Sequence, residues 1–171
     1  MNKLLLLAFV FIFSVSGFGQ DMTVKVFFLS EIDNPDFLDC TSVRPTDRKI
    51  PKTRAVAKAA LLELFKGPTP EEEEKGFSSL SPDETKDILK SVKIKNGAAY
   101  VNFNEIVYTQ MGTATTSCGS GFFSSIEATL KQFPTIKRVF YAIEGNPRDF
   151  YEWVQVGECP EGLKNCSGKN F

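Results

Sequence analysis

A chain of 171 residues, 42% hydrophobic and 24% charged, has the size and composition of one globular domain with a substantial core. Twenty Lys and Arg against twenty-one Asp and Glu leave a net charge of -1. That balance is too even for the concentrated basic face that nucleic-acid binding requires. The absence of histidine excludes a Ser-His-Asp triad, a Cys-His pair, an H-E-x-x-H zinc site and a histidine pH switch.

Residues 1–19 read as a signal peptide. Lys3 supplies a short positive end, Leu4 to Phe13 is an apolar run, and Ser14 to Gly19 is a small-residue stretch placed for cleavage before Gln20. The run is too short to span a bilayer comfortably, and no second run of membrane length follows. The expectation is an exported protein, periplasmic or extracellular. Residues 20–157 form its domain, and residues 158–171 form a C-terminal tail closed by a disulfide.

Thr23 to Leu29 alternates and is rich in Val and Phe, as a first strand does. Asp33, Asn34, Pro35, Asp36 and Asp39 cluster in the polar stretch that follows. They lack the central Gly and terminal Glu of a calcium loop, so a solvated turn is expected and no metal. A short strand near Thr41 to Arg44 pairs with the first. The central helix runs from about Lys52 to Lys66 and buries Val56, Ala57, Ala60, Leu61, Leu64 and Phe65. Gly67-Pro68 stops it, and Thr69-Pro70-Glu71 restarts a capped turn whose acids complement their own helix dipole.

Ser81 to Glu84 has the form of a capping box. Ile88 to Lys95 and Ala98 to Asn104 are two strands joined by the Asn96-Gly97 turn. After a Gly, Ser and Thr rich loop from Met111 to Gly121, the stripe Phe122, Ile126, Leu130 and Phe133 marks a second helix ended by Pro134. Arg138 to Glu144 is a strand, Gly145-Asn146-Pro147 a turn, and Phe150 to Val156 a last strand. This order predicts an α+β fold, with two helices packed on one face of a mixed, mostly antiparallel sheet.

Cys40, Cys118, Cys159 and Cys166 are even in number and all follow the signal. Cys159 and Cys166 close a short loop containing Pro160 and Gly162, and elimination then pairs Cys40 with Cys118. No C-x-x-C spacing suggests zinc.

Three blocks, Ala60-LLELFKGPTPEEE, Ser91-VKIKNGAAYVNF and Thr129-LKQFPTIKRVFYAIEGNP, resemble in this order the motifs of the GerMN domain. This is the sporulation and spore germination domain of exported bacterial proteins. The resemblance covers about Thr23 to Pro147. It implies a ligand-binding or assembly module of the envelope, with no catalysis and no cofactor. Asn102 and Glu144 stand where the family carries Asp.

No site stands out for chemistry. Ser120 lies between Gly119 and Gly121, but Cys118 and Phe122 occupy the places where a nucleophile elbow needs glycines. The same Gly119, Ser120 and Gly121 offer backbone N–H groups to an anion at a helix entrance. Tyr151 and Trp153 fall on one side of the expected last strand, as an aromatic platform for a sugar or a protein partner. The expected function is binding of a cell-envelope protein or a peptidoglycan component. Two alternatives are a glycan hydrolase using Glu127, Glu144, Asp149 or Glu152, and a self-assembling homo-oligomer of the ring-building kind.

Overall fold

The computed structural model describes residues 20–35, 39–80, 82–112 and 119–171, with only the backbone of residues 119 and 120. The signal segment, Ser81 of the expected cap and Cys118 lie outside these residues. The architecture is α+β, but its strands form two three-stranded sheets in place of the single one expected.

The first sheet is β2-β1-β3, all antiparallel, from β1 (Asp21–Ser30), β2 (Val43–Pro51) and β3 (Phe77–Ser78). The second is β4-β5-β6, from β4 (Leu89–Lys95), β5 (Ala98–Phe103) and β6 (Arg138–Ile143). Its first pair is an antiparallel hairpin. Asn96 and Gly97 sit at φ of 50° and 75°, the left-handed pair that a two-residue hairpin turn demands. β5 and β6 run parallel, which requires a long crossover. That crossover carries α4 (Val107–Gln110) and α5 (Gly119–Lys131).

The two sheets stay separate because α5 closes the second edge of β1. The Lys25 N–H donates to Gln132 Oε1 at 2.8 Å, and Gln132 Nε2 returns a bond of 2.6 Å to the Lys25 carbonyl. The Phe27 N–H donates to Thr129 Oγ1 at 3.1 Å, and Thr129 is fully buried. Two side chains thus take the place of a neighbouring strand and satisfy backbone groups that would otherwise be orphaned. Gly121 lets the helix come this close. A Cβ there would lie 2.9 Å from Leu29 Cδ1 and 3.0 Å from the Cys40 carbonyl oxygen.

The central helix α1 (Val56–Leu64) starts four residues later than expected and leaves Val56 half-buried, but it buries Ala57, Ala60, Leu61 and Leu64, and Phe65 just beyond it, as its periodicity predicts. Gly67, at φ 73°, ends it. α2 (Pro70–Glu73) then begins with a complete capping box between Thr69 and Glu72. Of the acidic run only Glu72 is buried. Its carboxylate is held bidentately by Arg48 of β2, accepts 2.6 Å from Thr46 Oγ1, and accepts 2.8 Å from the Thr69 N–H. Burial pushes this carboxyl up, but the bonds from Arg48, Thr46 and Thr69 outweigh it and hold the pKa at about 2, below the ordinary 4.5. α3 (Pro82–Thr85) follows, and Thr85 Oγ1 donates 2.6 Å to the Phe65 carbonyl.

Both faces of β5 are covered, and every residue of it is buried. On one face Phe103 meets Phe123 of α5 and Phe150. On the other, Tyr100 packs on Phe140 and on Phe171 of the tail. A disulfide joins Cys159 to Cys166, with Cα atoms 5.6 Å apart, in the segment that carries Leu163 and Phe171 onto this face. Cys40 is also disulfide-bonded.

Two further expectations need correction. The strand near Thr41 to Arg44 begins at Val43 and runs on to Pro51, pairing with β1 along nearly its whole length. The expected last strand, Phe150 to Val156, is instead helix α6 (Pro147–Trp153). Asn146 caps it by accepting from the Arg148 N–H at 3.1 Å, Pro147 takes the first position, and Asp149 sits in the first turn.

Two measurements follow from these contacts. Thr129→Val keeps the shape but leaves the Phe27 N–H buried and unpaired, so urea unfolding should show a loss of about 1–3 kcal/mol. Because the Glu72 pKa is lowered on folding, its contribution is complete above about 4.5 and is lost as pH falls toward about 2. Glu72→Gln should therefore cost about 3 kcal/mol at pH 7, and that deficit should shrink steadily in unfolding curves taken down to pH 2.

Candidate functional site

α6 separates the two aromatic residues expected to act together. Tyr151 turns inward, is 7% exposed, and its Oη accepts from the Tyr141 N–H at 3.3 Å. Burial pushes its hydroxyl up to about 12. Residues two apart on a helix point to nearly opposite sides, so Trp153 faces elsewhere. The aromatic platform of Tyr151 with Trp153 does not form, and Tyr151 is a core residue.

Trp153 instead meets Tyr108 of α4, with ring centroids 5.8 Å apart and planes at 88°. Its Nε1 donates to the Gly112 carbonyl at 2.9 Å, which ties α6 to the end of the α4 segment. Behind it stand Phe150 at 5.9 Å and Phe123 at 6.1 Å. Phe150 in turn stacks on Tyr141 at 4.8 Å, so an unbroken set of rings runs from this corner to β6. The corner is therefore rigid. Tyr108 is 41% exposed, and Val156, just past α6, is 64% exposed.

The corner carries a sign. Asp149 and Glu152 lie on α6 four and one residues before Trp153, Asp149 within a helical turn of it. Burial raises the Tyr108 hydroxyl above its ordinary value, and the charges of Asp149 and Glu152 raise it further. Among the described residues neither carboxylate forms an ion pair; Asp149 accepts 2.6 Å from Asn146 Nδ2. Tyr108 had no sequence signal, because α4 is four residues long and shows no period.

Gly119, Ser120 and Gly121 open α5, and Gly121 is packed against Leu29 and Cys40, so its small size serves close approach. Cys159 is bridged to Cys166 and Cys40 is disulfide-bonded; Cys118, the partner expected for Cys40, is outside the described residues. Among the described residues no cluster of three or more Cys, Asp and Glu side chains is placed to hold a metal. The early acidic turn is tied up internally. Asn34 bonds both backbone groups of Asp39, and the Asp39 carboxylate accepts from Thr41 Oγ1 at 2.6 Å and from the Thr41 N–H at 2.8 Å.

Two of the carboxylates weighed for hydrolysis are held in ion pairs. Glu127 is bonded to Lys131 of its own helix, and Glu144 to Lys90. Of these, Glu144 has its carboxyl pushed down. Glu144 is lowered first by its bond from Lys90. Asn102 has a structural duty: its Oδ1 accepts 2.8 Å from the Gly145 N–H. Glu144 and Gly145 both adopt left-handed backbone, at φ 50° and 80°, so this bond fixes the turn that leads into α6.

Comparison with known proteins gives the context. The family profile described as sporulation and spore germination (Germane) matches residues 25–149. Among solved structures, the tandem GerMN domains of the sporulation protein GerM from Bacillus subtilis are 26% identical, with a TM-score of 0.53, over 73% of this chain. The match spans only 39% of that tandem chain. The first GerMN domain of the same protein is 20% identical with a TM-score of 0.49, covering 72% of this chain and 84% of that one. No curated protein gives a significant match. With the helix-stop, hairpin and strand-end blocks in their expected order and the fold around them in place, this chain belongs to the GerMN family of sporulation and spore germination domains.

Proposed function

We propose that this GerMN domain is an exported, non-catalytic module that binds a component of the bacterial cell envelope, with the Tyr108–Trp153 corner as its contact surface. The observation that carries the reading is that corner. Two large aromatic rings reach the surface, and their orientation is set by packing and by the bond from Trp153 to the Gly112 carbonyl. Preordered aromatic side chains lose little entropy on binding and supply most of the energy in many interfaces. Export is supported by the disulfide chemistry of Cys159, Cys166 and Cys40, which persists in oxidising compartments. No helix among the described residues is long and apolar enough to cross a membrane.

The test is retention of the purified, oxidised protein on isolated envelope fractions, with purified peptidoglycan as a separate arm. Saturable retention is expected, weakened about tenfold or more by Tyr108→Ala, a change at an exposed ring that spares the core. Trp153→Phe keeps the packing and should weaken it as well by removing the indole. Steady turnover of a glycan, or retention indifferent to both variants, would overturn the proposal.

A further inference from the structure

The corner described above is aromatic and acidic at once, and that combination selects a class of ligand. Tyr108 stands edge-on to Trp153 at 88°. Helical spacing puts Asp149, Glu152 and Trp153 on one side of α6, where both carboxylates act on Tyr108. Among the described residues no Lys or Arg pairs with either carboxylate. Arg148 is on the same helix, four residues before Glu152, and still makes no ion pair with it. Glu127 and Glu144, by contrast, each hold a lysine. The two carboxylates beside the rings hold no cation among the described residues.

We infer that the Tyr108–Trp153 corner recognises the cationic side chain, Lys or Arg, of a protein partner, with Asp149 and Glu152 supplying the counter-charge. An aromatic face attracts a cation through its quadrupole, and Trp and Tyr do so best. A carboxylate within reach adds a charge-assisted hydrogen bond and fixes the direction of approach. An anionic ligand is disfavoured here by the same two charges, and a neutral ligand would leave both of them uncompensated. The exposed Val156 beside α6 offers apolar surface for the stem or neighbour of such a residue. This deepens the envelope-binding reading and rests on it.

Trp153 is the sole tryptophan of the chain, so its fluorescence reports on the corner without labelling. The probe is a short Gly-Lys-Gly-Lys-Gly peptide with blocked ends, compared with the same peptide carrying Nε-acetyl-lysine. The lysine peptide should give a saturable change, weakened at least about tenfold by Nε-acetylation or by the double change Asp149→Asn with Glu152→Gln, and weakened again by raised salt. Equal responses to the charged and acetylated peptides, or no effect of the double change, would overturn the inference.

The retention assay separates this from the parent reading. If Tyr108→Ala lowers envelope retention while Asp149→Asn with Glu152→Gln does not, the corner binds but not through a cation, and only this inference falls. If neither lowers it, the parent reading falls too. Retention by purified peptidoglycan that is abolished by acetylating its free amines would keep the cation but replace the protein partner by the wall, overturning that part.

Discussion

The fold depends on how the second edge of β1 is closed. β1 pairs with β2 along most of its length, and with β3 only at Leu29 and Ser30. The stretch at Lys25 and Phe27 would otherwise leave its backbone groups without a partner on that edge. Gln132 and Thr129 close it with three hydrogen bonds from one helix. Because α5 takes that edge, the second sheet cannot join the first, and the helix itself becomes the shared wall between them. Its apolar stripe, Phe122, Ile126 and Leu130, then faces the core together with Leu61, Leu64 and Phe65 of the α1 region. Phe65 and Phe122 meet directly at 5.2 Å.

A second constraint acts at the other end of α1. The Gly-Pro-Thr-Pro-Glu block looks from its residue types like a helix stop followed by a solvated acidic turn. Three of its acids behave that way, but Glu72 is used twice: as the capping-box partner of Thr69 and as the bidentate partner of Arg48. Arg48 also lies 5.7 Å from the Phe28 ring, so the ion pair sits on the core's rim. A block that ends one helix and starts another therefore also anchors both to β2. The register of β2, which places Arg48 opposite Val24, is what makes that possible.

The C-terminal part of the chain completes the second sheet in a way that family resemblance does not cover. Residues beyond 149 include most of α6 and the whole tail, and each covers a different face of β5 and β6. α6 brings Phe150 and Tyr151 to one face, while the disulfide-closed segment lays Leu163 and Phe171 on the other. Outward from that same helix, Trp153, Asp149 and Glu152 form the surface corner with Tyr108. Core completion and the candidate binding surface are thus two sides of one short helix.

What the amino-acid sequence determined by itself was whatever rests on neighbours within a few residues. The α1 stripe, the Gly67 stop, the Thr69 cap, the Asn96-Gly97 hairpin and the α5 stripe all follow from local φ/ψ preference and periodicity, and all are present. The tertiary structure decided what depends on distant partners: two sheets instead of one, the burial of Glu72, and the reach of β2. It also decided the state of residues 147–153. Phe150, Tyr151 and Trp153 fit a strand period as well as a helix period, and the Asn146-Pro147-x-Asp149 cap prevails. The binding corner was half legible for that reason. Trp153 was visible as a large aromatic in a polar setting, but its true neighbour, Tyr108, is 45 positions away and joins it only through the packing of α4 against α6.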